Sequence, residues 1–356
     1  MSWLEFDVHG YASLRIARSA PSAAIFQEMF EPFAVEGLQS FDLTITEAGE
    51  PMNAAAYAED RYRYTSAAVY LRSARTQVAL DGAGGFHLSG KGELLTSALP
   101  IMDLILARRG AAMIHAAAFE YRGFGIALPA WGGTGKTSAL AGLLIGAEEG
   151  SFMGDDWAFV SDDGRLLGFA KPIFIKPHHR LVYPHLFVGR HKPMVPAAFS
   201  GLMGRIATAA HPVVTRFPRL AAFSRRWSPE HMMVRPAKAF SRISTSAPLG
   251  AIIFMERFAG TELVLEERGA AWMAGRLIGN FYAELSPTSR QVLTALGATA
   301  LVPLPEPFAQ KHALLTRALE HKPVFLLRIP RSMPTYEASE QIASQIMRAI
   351  ALVGVA

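Results

Sequence analysis

The stretch "LPAWGGTGKTSAL", residues Leu128–Leu140, is the part of the chain that best indicates its fold. The apolar residues before it predict a buried strand, and the alanine- and leucine-rich residues at its end predict a helix. Three glycines lie between the two, so backbone N–H groups can converge on an anion without clashes from Cβ atoms. The N-terminus of the following helix adds the positive end of its dipole. The stretch therefore predicts an α/β fold with a phosphate-binding loop, a P-loop.

The residue types of this loop predict how it would hold a nucleotide. Lys136 would reach the β- and γ-phosphates, and the Thr137 hydroxyl would ligate Mg²⁺. The usual eight-residue pattern begins with glycine, whereas this chain has Ala130, which is nearly as small. A tight turn followed by a surface lysine is the structural alternative. The loop residues predicted to surround the phosphates are Gly132, Gly133, Thr134 and Gly135.

Two adjacent carboxylates form a second candidate feature. Asp155 and Asp156 follow the apolar run "SFM", which we expect to form the strand beside the P-loop. Ligands of α/β sheets bind beyond the carboxyl ends of the strands, and carboxylates there can bind Mg²⁺ or accept a proton. A solvated strand end is the alternative. In contrast, Asp162 and Asp163 belong to "SDDGR", which is typical of a hairpin turn.

His115 is the third candidate. It lies in "AAMIHAAAFEY", which predicts a buried strand directly before the loop strand. A single histidine in an apolar strand is usually a hydrogen-bonded core residue. On the strand alone, both this structural role and a catalytic role remain open.

The composition excludes several classes of protein. The chain contains no cysteine, which excludes disulfide scaffolds, cysteine-based zinc sites and thiol catalysis. The amino-terminal "MSWLEFDVHG" lacks the basic start and apolar core of a secretory signal. No run reaches the roughly 18 apolar residues that a membrane helix needs. We therefore expect a soluble, cytoplasmic protein without a transmembrane segment.

Positive charge is concentrated in one segment. The net charge is +5, and residues 164–229 contain eleven Lys and Arg but no Asp or Glu. Such an asymmetry indicates a surface for an anionic partner, or a segment that neutralises the acidic remainder of the protein. No helix-turn-helix, zinc-finger or RNA-binding pattern accompanies the charge, so we expect no specific nucleic-acid partner.

Two groups of basic residues in this segment receive separate predictions. Lys171, Lys176 and Arg180 follow the double aspartate closely and would reach the triphosphate or the phosphate acceptor. Arg225 and Arg226 would attract an acidic polypeptide or, as a second possibility, an anionic membrane surface. Either attraction would be screened by salt.

The remaining pattern predicts the organisation of the chain. Residues 1–93 alternate short strand-like and helix-like runs and predict a small α+β domain. Residues 94–356 would form the catalytic domain, with 164–229 as an insert-like basic segment. A helix is predicted from Leu94 to a stop at Gly110, and the helix after the loop is expected to continue to Gly150.

The stretch "MIHAAAFEYRGFGIALPAWGGTGKTSAL", followed by "FMGDDWAFV", resembles the C-terminal catalytic domain of bacterial HPr kinase/phosphorylase. That family has a strand with Met-His-Gly, a second strand, a glycine-rich P-loop and then a double aspartate. The same stretch is similar to ATP-dependent phosphoenolpyruvate (PEP) carboxykinase. The specific similarity covers residues 111–160. It implies an HPr-kinase/PEP-carboxykinase-like P-loop core that uses ATP and Mg²⁺.

The resemblance also implies roles for individual residues. Asp155 matches the family's acid/base aspartate, and His115 matches the histidine that pairs with it. Lys136 and Thr137 match the P-loop lysine and hydroxyl residue, and Asp156 would hold the metal together with Thr137. Two features depart from the family. Ala116 replaces a glycine, and "KPIFIKPHHRL" contains no counterpart of the metal-binding glutamate, which also weakens the case for phosphorolysis.

The resulting expectation is a kinase that phosphorylates a hydroxyl group, above all serine, of a protein or ribosomally made peptide. The layout is closest to HPr-kinase-like proteins of lasso-peptide gene clusters, which phosphorylate a precursor peptide. A nucleotide-binding regulatory or assembly protein without transferase activity is one alternative, and a carboxykinase-like enzyme is another. An acidic protein or peptide acceptor would suit the basic segment, and a homo-oligomer is compatible with the sequence.

Overall fold

The computed structural model describes residues 2–20, 22–47, 55–57, 61–82, 84–145, 147, 149–188, 232–334 and 338–352. These residues form a mixed α/β structure with two large sheets, a two-stranded ribbon and eight α-helices. The predicted α/β class is therefore confirmed. None of the described helices combines the length and the apolar character that a membrane span requires.

The first large sheet contains the strands described between residues 3 and 90. They are β1 Trp3–Val8, β2 Ala12–Ala17, β3 Ala34–Val35, β4 Leu43–Glu47, β5 Ala55–Tyr57, β6 Tyr62–Tyr64, β7 Ala68–Leu71, β8 Thr76–Leu80 and β9 Phe86–Gly90. Their order is β3-β1-β2-β4-β9-β8-β7-β6-β5. Strands β2, β4 and β9 run parallel, and the other neighbouring pairs are antiparallel.

Alternating apolar residues determine which face of this sheet is buried. In β1, Leu4, Phe6 and Val8 are buried, and the residues between them are partly exposed. Helix α1, Ala23–Met29, packs into the same core, and Phe30 at its end contacts Phe6 with ring centroids 5.7 Å apart. A strand with period-two alternation can bury only one face, which explains the pattern.

Helix α2, Leu94–Arg109, is buried on most of its surface and belongs to the core of the first sheet. This burial explains why its sequence has no polar face. It ends at Gly110 as predicted, where φ is 91°, a left-handed conformation that glycine adopts at little cost. The predicted division at residue 93 falls between β9 and α2, and the hydrophobic core continues across it.

A buried ion pair fastens α2 to two later helices, α5 (Ala270–Glu284) and α7 (Pro305–Leu319). Lys311 Nζ of α7 lies 2.5 Å from Asp103 Oδ1 of α2, and both side chains are 1% exposed. Tyr282 of α5 donates its hydroxyl proton to the other oxygen of Asp103 at 2.6 Å. The three helices are thus joined by charge as well as by apolar packing.

The second large sheet contains the strands that carry the glycine loop. They are β10 Ala111–Tyr121, β11 Phe124–Pro129, β12 Gly150–Gly154, β13 Trp157–Ser161, β14 Arg165–Gly168, β17 Ser246–Phe258, β18 Val264–Glu267 and β19 Val324–Pro330. Its main part has the order β12-β10-β11-β17-β19-β18, and the β13–β14 hairpin links the starts of β10 and β17. The predicted turn of this hairpin is confirmed at Gly164, where φ is 75°.

Strand directions bring three strand ends to one edge of the second sheet. Strand β10 is antiparallel to both β11 and β12, so these two run the same way. Strand β17 is parallel to β11. The carboxyl ends of all three therefore lie at the edge where β10 passes His115. Strand β12, which ends just before Asp155, is separated from the loop strand β11 by β10.

Helices cover both faces of the second sheet. The remaining helices are α3 Lys136–Leu144, α4 Pro236–Ala239, α6 Pro287–Ala298 and α8 Ala338–Ala351. Phe119 of β10 shares a core with α3 and α8, whereas its neighbour Ala118 shares a core with α5 and α7. Burial on both faces explains why β10 is apolar along nearly its whole length.

Helix α3 is shorter than we predicted. It ends at Leu144, and Gly150, expected to stop the helix, begins β12 and pairs with Tyr121. A Cβ atom on Gly150 would lie 2.5 Å from Leu144 Cδ2, so the glycine permits the close approach of this strand to the helix. Strands β15, Ile173–Ile175, and β16, Met232–Val234, pair antiparallel as a two-stranded ribbon. In sequence they are separated by a segment that includes residues 189–231, which are outside the described part.

Candidate functional site

The glycine loop, which we define as residues 130–135, connects the end of β11 to the first residue of α3. Gly133 and Gly135 have φ angles of 77° and 114°, which side chains other than glycine rarely adopt. These two residues let the chain turn back into the helix. The conformation also leaves the N-terminus of α3 at the carboxyl edge of the second sheet.

Lys136 points into the protein rather than into solvent, with 7% of its surface exposed. Its Nζ donates to the Ala130 carbonyl at 3.0 Å and lies 3.5 Å from His115 Nε2. Burial lowers the pKa of Lys136, although the charges of Asp155 and Asp156 oppose this shift. The alternative of a tight turn followed by a surface lysine therefore does not describe this loop.

Asp155 lies next to the second residue of α3. Thr137 Oγ1 donates to Asp155 Oδ2 at 2.9 Å. The side chain is buried, and within the described part of the chain its other oxygen, Oδ1, has no hydrogen-bond partner. Burial, and then the charge of Asp156, raises the pKa of Asp155 to about 6. The carboxyl group therefore combines a free oxygen with a proton affinity near neutral pH.

Asp156 adopts a strained backbone conformation with a φ of 86°. Left-handed conformations cost an L-residue about 1–2 kcal/mol, and such strain is concentrated at functional sites. Its Oδ2 accepts from Lys171 Nζ at 2.9 Å, and its side chain is 42% exposed. Burial acts to raise the pKa of Asp156, but the charge and hydrogen bond of Lys171 outweigh it and hold the pKa below its ordinary value.

Lys171, which we predicted to reach the triphosphate or the phosphate acceptor, is buried in an ion pair. It is 1% exposed, pairs with Asp156, and lies 5.3 Å from the ring centroids of Trp157 and Phe174. Its positive charge is therefore already paired with a carboxylate of the double aspartate. This pairing lowers the net negative charge that the two aspartates present to an incoming anion.

His115 pairs with Asn280 and Lys136 rather than with Asp155. Asn280 of α5 is buried and donates through Nδ2 to the Ala130 carbonyl at 3.3 Å, so its Oδ1 faces His115 Nδ1, also at 3.3 Å. This network assigns the proton to Nδ1 and leaves Nε2 as the acceptor for Lys136. Burial, and then the charge of Lys136, lowers the pKa of His115 to about 4.

Two hydrogen bonds of the site join residues that the sequence did not pair. The resemblance implied that His115 pairs with Asp155 and that Thr137 and Asp156 hold a metal ion. In the structure His115 hydrogen-bonds to Asn280, and Thr137 hydrogen-bonds to Asp155. Helix α5 packs across β10, which brings Asn280 to the histidine. The predicted catalytic and metal-binding roles of these residues stay predictions.

The other predicted basic residues have different locations. Lys176 is exposed, and its charge is close enough to act on Lys136. Arg180 is exposed in the 3₁₀ helix Pro177–Leu181. Arg225 and Arg226 lie outside the described residues. Of the described members of this group, Lys171 pairs with Asp156, and Lys176 lies near enough for its charge to affect Lys136.

Three residues of the site were missed by sequence reasoning. Asn280 contacts the loop as described above, and Glu284 accepts from Gly132 N at 2.8 Å. Tyr183 is fully buried and donates its hydroxyl proton to the Thr137 carbonyl at 2.9 Å. Burial, and then the charge of Asp155, raises the pKa of Tyr183. The spacing of four residues between Asn280 and Glu284 puts both on one helix face, which was the only local signal.

Comparison with known proteins does not place the chain in a family. No protein-family profile matches the sequence, and no curated protein matches it.

The raised pKa of Asp155 predicts how stability depends on pH. The ordinary pKa is 3.8, so the stabilisation from proton binding to the folded state is complete below pH 4 and lost as pH rises through 6. Asp155→Asn lacks this titration. Its free energy of unfolding, relative to the unmodified protein, should rise by up to about 3 kcal/mol between pH 4 and 7. Urea denaturation at several pH values measures the difference, and a flat profile would contradict the assignment.

The lowered pKa of His115 predicts the opposite slope. The ordinary pKa is 6.5, so the neutral histidine contributes fully above that pH, and its contribution is lost as pH falls through 4. For His115→Gln, the free energy of unfolding relative to the unmodified protein should therefore fall as pH rises from 4 to 7. The same denaturation series measures it. Parallel slopes for the two variants would show that the titrating groups are misassigned.

Proposed function

We propose that the protein is an ATP- and Mg²⁺-dependent kinase that phosphorylates a hydroxyl group of a protein or peptide. One observation carries this proposal: a buried lysine, a threonine hydroxyl and a carboxyl group with a free oxygen meet at the start of α3. These are Lys136, Thr137 and Asp155. Phosphoryl transfer needs a counter-charge for the phosphates, an oxygen donor for the metal and a group that accepts the hydroxyl proton.

The conformation of the glycine loop supports nucleotide binding. Gly133 and Gly135 carry the left-handed angles that a phosphate-binding turn requires, and α3 is long enough to contribute its dipole. Lys136 could reach a phosphate by leaving the Ala130 carbonyl, which it contacts by a single hydrogen bond. We infer from these features an HPr-kinase-like P-loop core in the second sheet.

The oxygen donors near the loop suit Mg²⁺. This ion prefers carboxylate and hydroxyl oxygens together with phosphate oxygens and water, and it rarely needs a complete set of protein ligands. The described residues contain no cluster of three or more His, Asp or Glu side chains. Thr137 and Asp156 would hold the ion together with phosphate oxygens of the nucleotide and water. Bound there, it would neutralise charge on the transferred phosphoryl group.

Asp155 has the properties of a general base. Its pKa of about 6 allows it to be ionised at neutral pH and still accept a proton effectively. The acceptor hydroxyl would give its proton to Oδ1 while its oxygen bonds to the γ-phosphorus. The bond from that phosphorus to the β-phosphate bridging oxygen breaks, and ADP leaves. His115, neutral at pH 7, would act on this step only through Lys136.

The surroundings of the site favour an anionic acceptor. Lys176 and Arg180 are exposed and follow Lys171 closely along the chain, and the charge of Lys176 acts on Lys136. Positive side chains near a reaction centre attract negatively charged partners and raise their association rate. We therefore propose that the acceptor is a serine in an acidic polypeptide.

Incubation with γ-labelled ATP, Mg²⁺ and a panel of serine peptides of differing charge tests the proposal. Label should appear on serine, with acidic peptides preferred. Nucleotide binding without transfer to any acceptor would favour a regulatory or assembly protein. Failure to bind ATP at all would overturn the proposal.

Replacing the proposed base gives a sharper expectation. Asp155→Asn keeps the size of the side chain and removes the proton acceptor, so kcat should fall by about 10²-fold or more. The dissociation constant for ATP should change little, because Asp155 has no proposed contact with the base or ribose. Steady-state kinetics and calorimetry on the same sample separate the two quantities. An equal loss of ATP affinity would indicate a binding role instead.

A further inference from the structure

Helix α5 contacts the first half of the glycine loop, at Ala130 and Gly132, with two side chains one turn apart. Asn280 donates to the Ala130 carbonyl at the start of the loop, at 3.3 Å. Glu284, four residues later on the same face, accepts from the Gly132 amide at 2.8 Å. One face of α5 thus offers an amide N–H group to a loop carbonyl and a carboxylate to a loop N–H group.

The two contacts differ in burial, and therefore in how easily they can break. Asn280 is fully buried and also holds His115. Glu284 is exposed at the last position of α5, and the loop residue it contacts is exposed as well. An exposed side chain at a helix end can change rotamer at little cost. The Asn280 contact therefore belongs to the framework of the loop, whereas the Glu284 contact can break while the fold is kept.

The absence of a side chain on Gly132 lets the carboxylate approach. A Cβ atom there would lie 3.3 Å from Glu284 Oε2, which is tighter than most contacts of that kind. The carboxylate is thus an anion bound to a backbone N–H of the loop. Its charge also reaches the site, where it acts on the titration of His115 and Lys136.

We propose that Glu284 is an internal anion that competes with phosphate for the glycine loop. This inference rests on the proposed function, because it takes the loop as the phosphate site. A phosphate oxygen that accepts from Gly132 N must displace the Glu284 carboxylate, since one N–H group cannot serve both well. While Glu284 stays in place, its negative charge repels the incoming phosphates. Glu284 therefore sets the affinity of the loop for polyphosphates.

Removing the charge tests this competition directly. The dissociation constant of tripolyphosphate, and separately of ATP, is measured by calorimetry in EDTA and in Mg²⁺. The proteins are the unmodified chain, Glu284→Gln, Glu284→Ala and the control Glu262→Gln, which removes an exposed glutamate between β17 and β18. Circular dichroism on the same samples shows whether each variant is folded.

Both Glu284 variants should bind tripolyphosphate about tenfold more tightly than the unmodified protein in EDTA, and the control should not. Coulomb repulsion between near charges at a protein surface is large enough for such a change. Equal binding by all four proteins would overturn the competition and leave the phosphate-binding proposal intact. Weaker binding by the Glu284 variants, seen only with Mg²⁺, would make Glu284 a metal ligand and overturn the inference. Binding by none of them would overturn both proposals.

Discussion

Lys136→Ala should reduce phosphoryl transfer by about 10³-fold and weaken ATP binding, which is among the largest effects we expect from a single substitution. Removing one preorganised group that stabilises transition-state charge costs roughly 10²–10³-fold in rate. Here the same side chain would also supply the counter-charge for the β- and γ-phosphates. Its present partners, the Ala130 carbonyl and His115 Nε2, hold the ammonium group at the base of the loop, where a phosphate would arrive.

Transfer from γ-labelled ATP and calorimetric ATP binding measure this effect. Lys238→Ala is a matched control, because Lys238 is an exposed lysine in α4. The control should keep full activity and affinity. Unchanged activity and ATP affinity in the Lys136 variant would show that the loop does not bind phosphate and would overturn the proposed function.

Lys311→Met should lower the free energy of unfolding by about 3–5 kcal/mol, because it leaves Asp103 charged and buried without its partner. Both side chains of the pair are 1% exposed, so solvent cannot compensate the remaining carboxylate. Within the described part of the chain, the Tyr282 hydroxyl would be the one remaining donor to it. The pair lies among α2, α5 and α7, so the loss should affect the whole structure rather than one surface. Urea denaturation at constant pH measures it.

A double variant separates the charge from the packing. Asp103→Asn combined with Lys311→Met removes both charges while the amide oxygen can still accept from Tyr282. It should recover much of the stability, since replacing a buried ion pair by neutral groups of similar size is often close to neutral. If the double variant is as unstable as the single one, packing of the lysine stem rather than charge is the cause.

Lys311→Met and Lys136→Ala should both affect nucleotide binding, but for different reasons. Helix α5 carries Tyr282 of the ion-pair network as well as Asn280 and Glu284, which contact the glycine loop. A shift of α5 would therefore change the hydrogen bonds that it makes with the loop. We expect Lys311→Met to weaken nucleotide binding modestly at temperatures where it remains folded, whereas Lys136→Ala should affect binding without loss of stability.

Much of the fold could be predicted because the signals are local. The limits of α2 follow from its apolar run and from Gly110, and the β13–β14 turn follows from Asp163-Gly164. The strand before the loop and the helix after it follow from periodicity. The end of α3 could not be predicted this way. Gly150 begins a strand there because it must pair with Tyr121 and pack closely on Leu144.

The order of the strands in the second sheet also depends on tertiary packing and could not be predicted from local sequence. The sequence places the "SFM" strand next after the loop helix, and neighbours along the chain often pair. The structure instead inserts β10 between β11 and β12. This arrangement determines which side chains face the loop, and no local sequence pattern in β11 or β12 predicts it.

The sequence by itself determined the candidate residues. The glycine loop, Lys136, the double aspartate and His115 stand out because their chemistry and spacing are readable within about fifty residues. Only the tertiary structure decided their partners. His115 meets Asn280 across 165 residues of chain, and Gly132 meets Glu284 across 152. The physical reason is that hydrogen bonds and charge pairs depend on distance in space. Packing of α5 against the second sheet, driven by burial of apolar surface, brings these groups together.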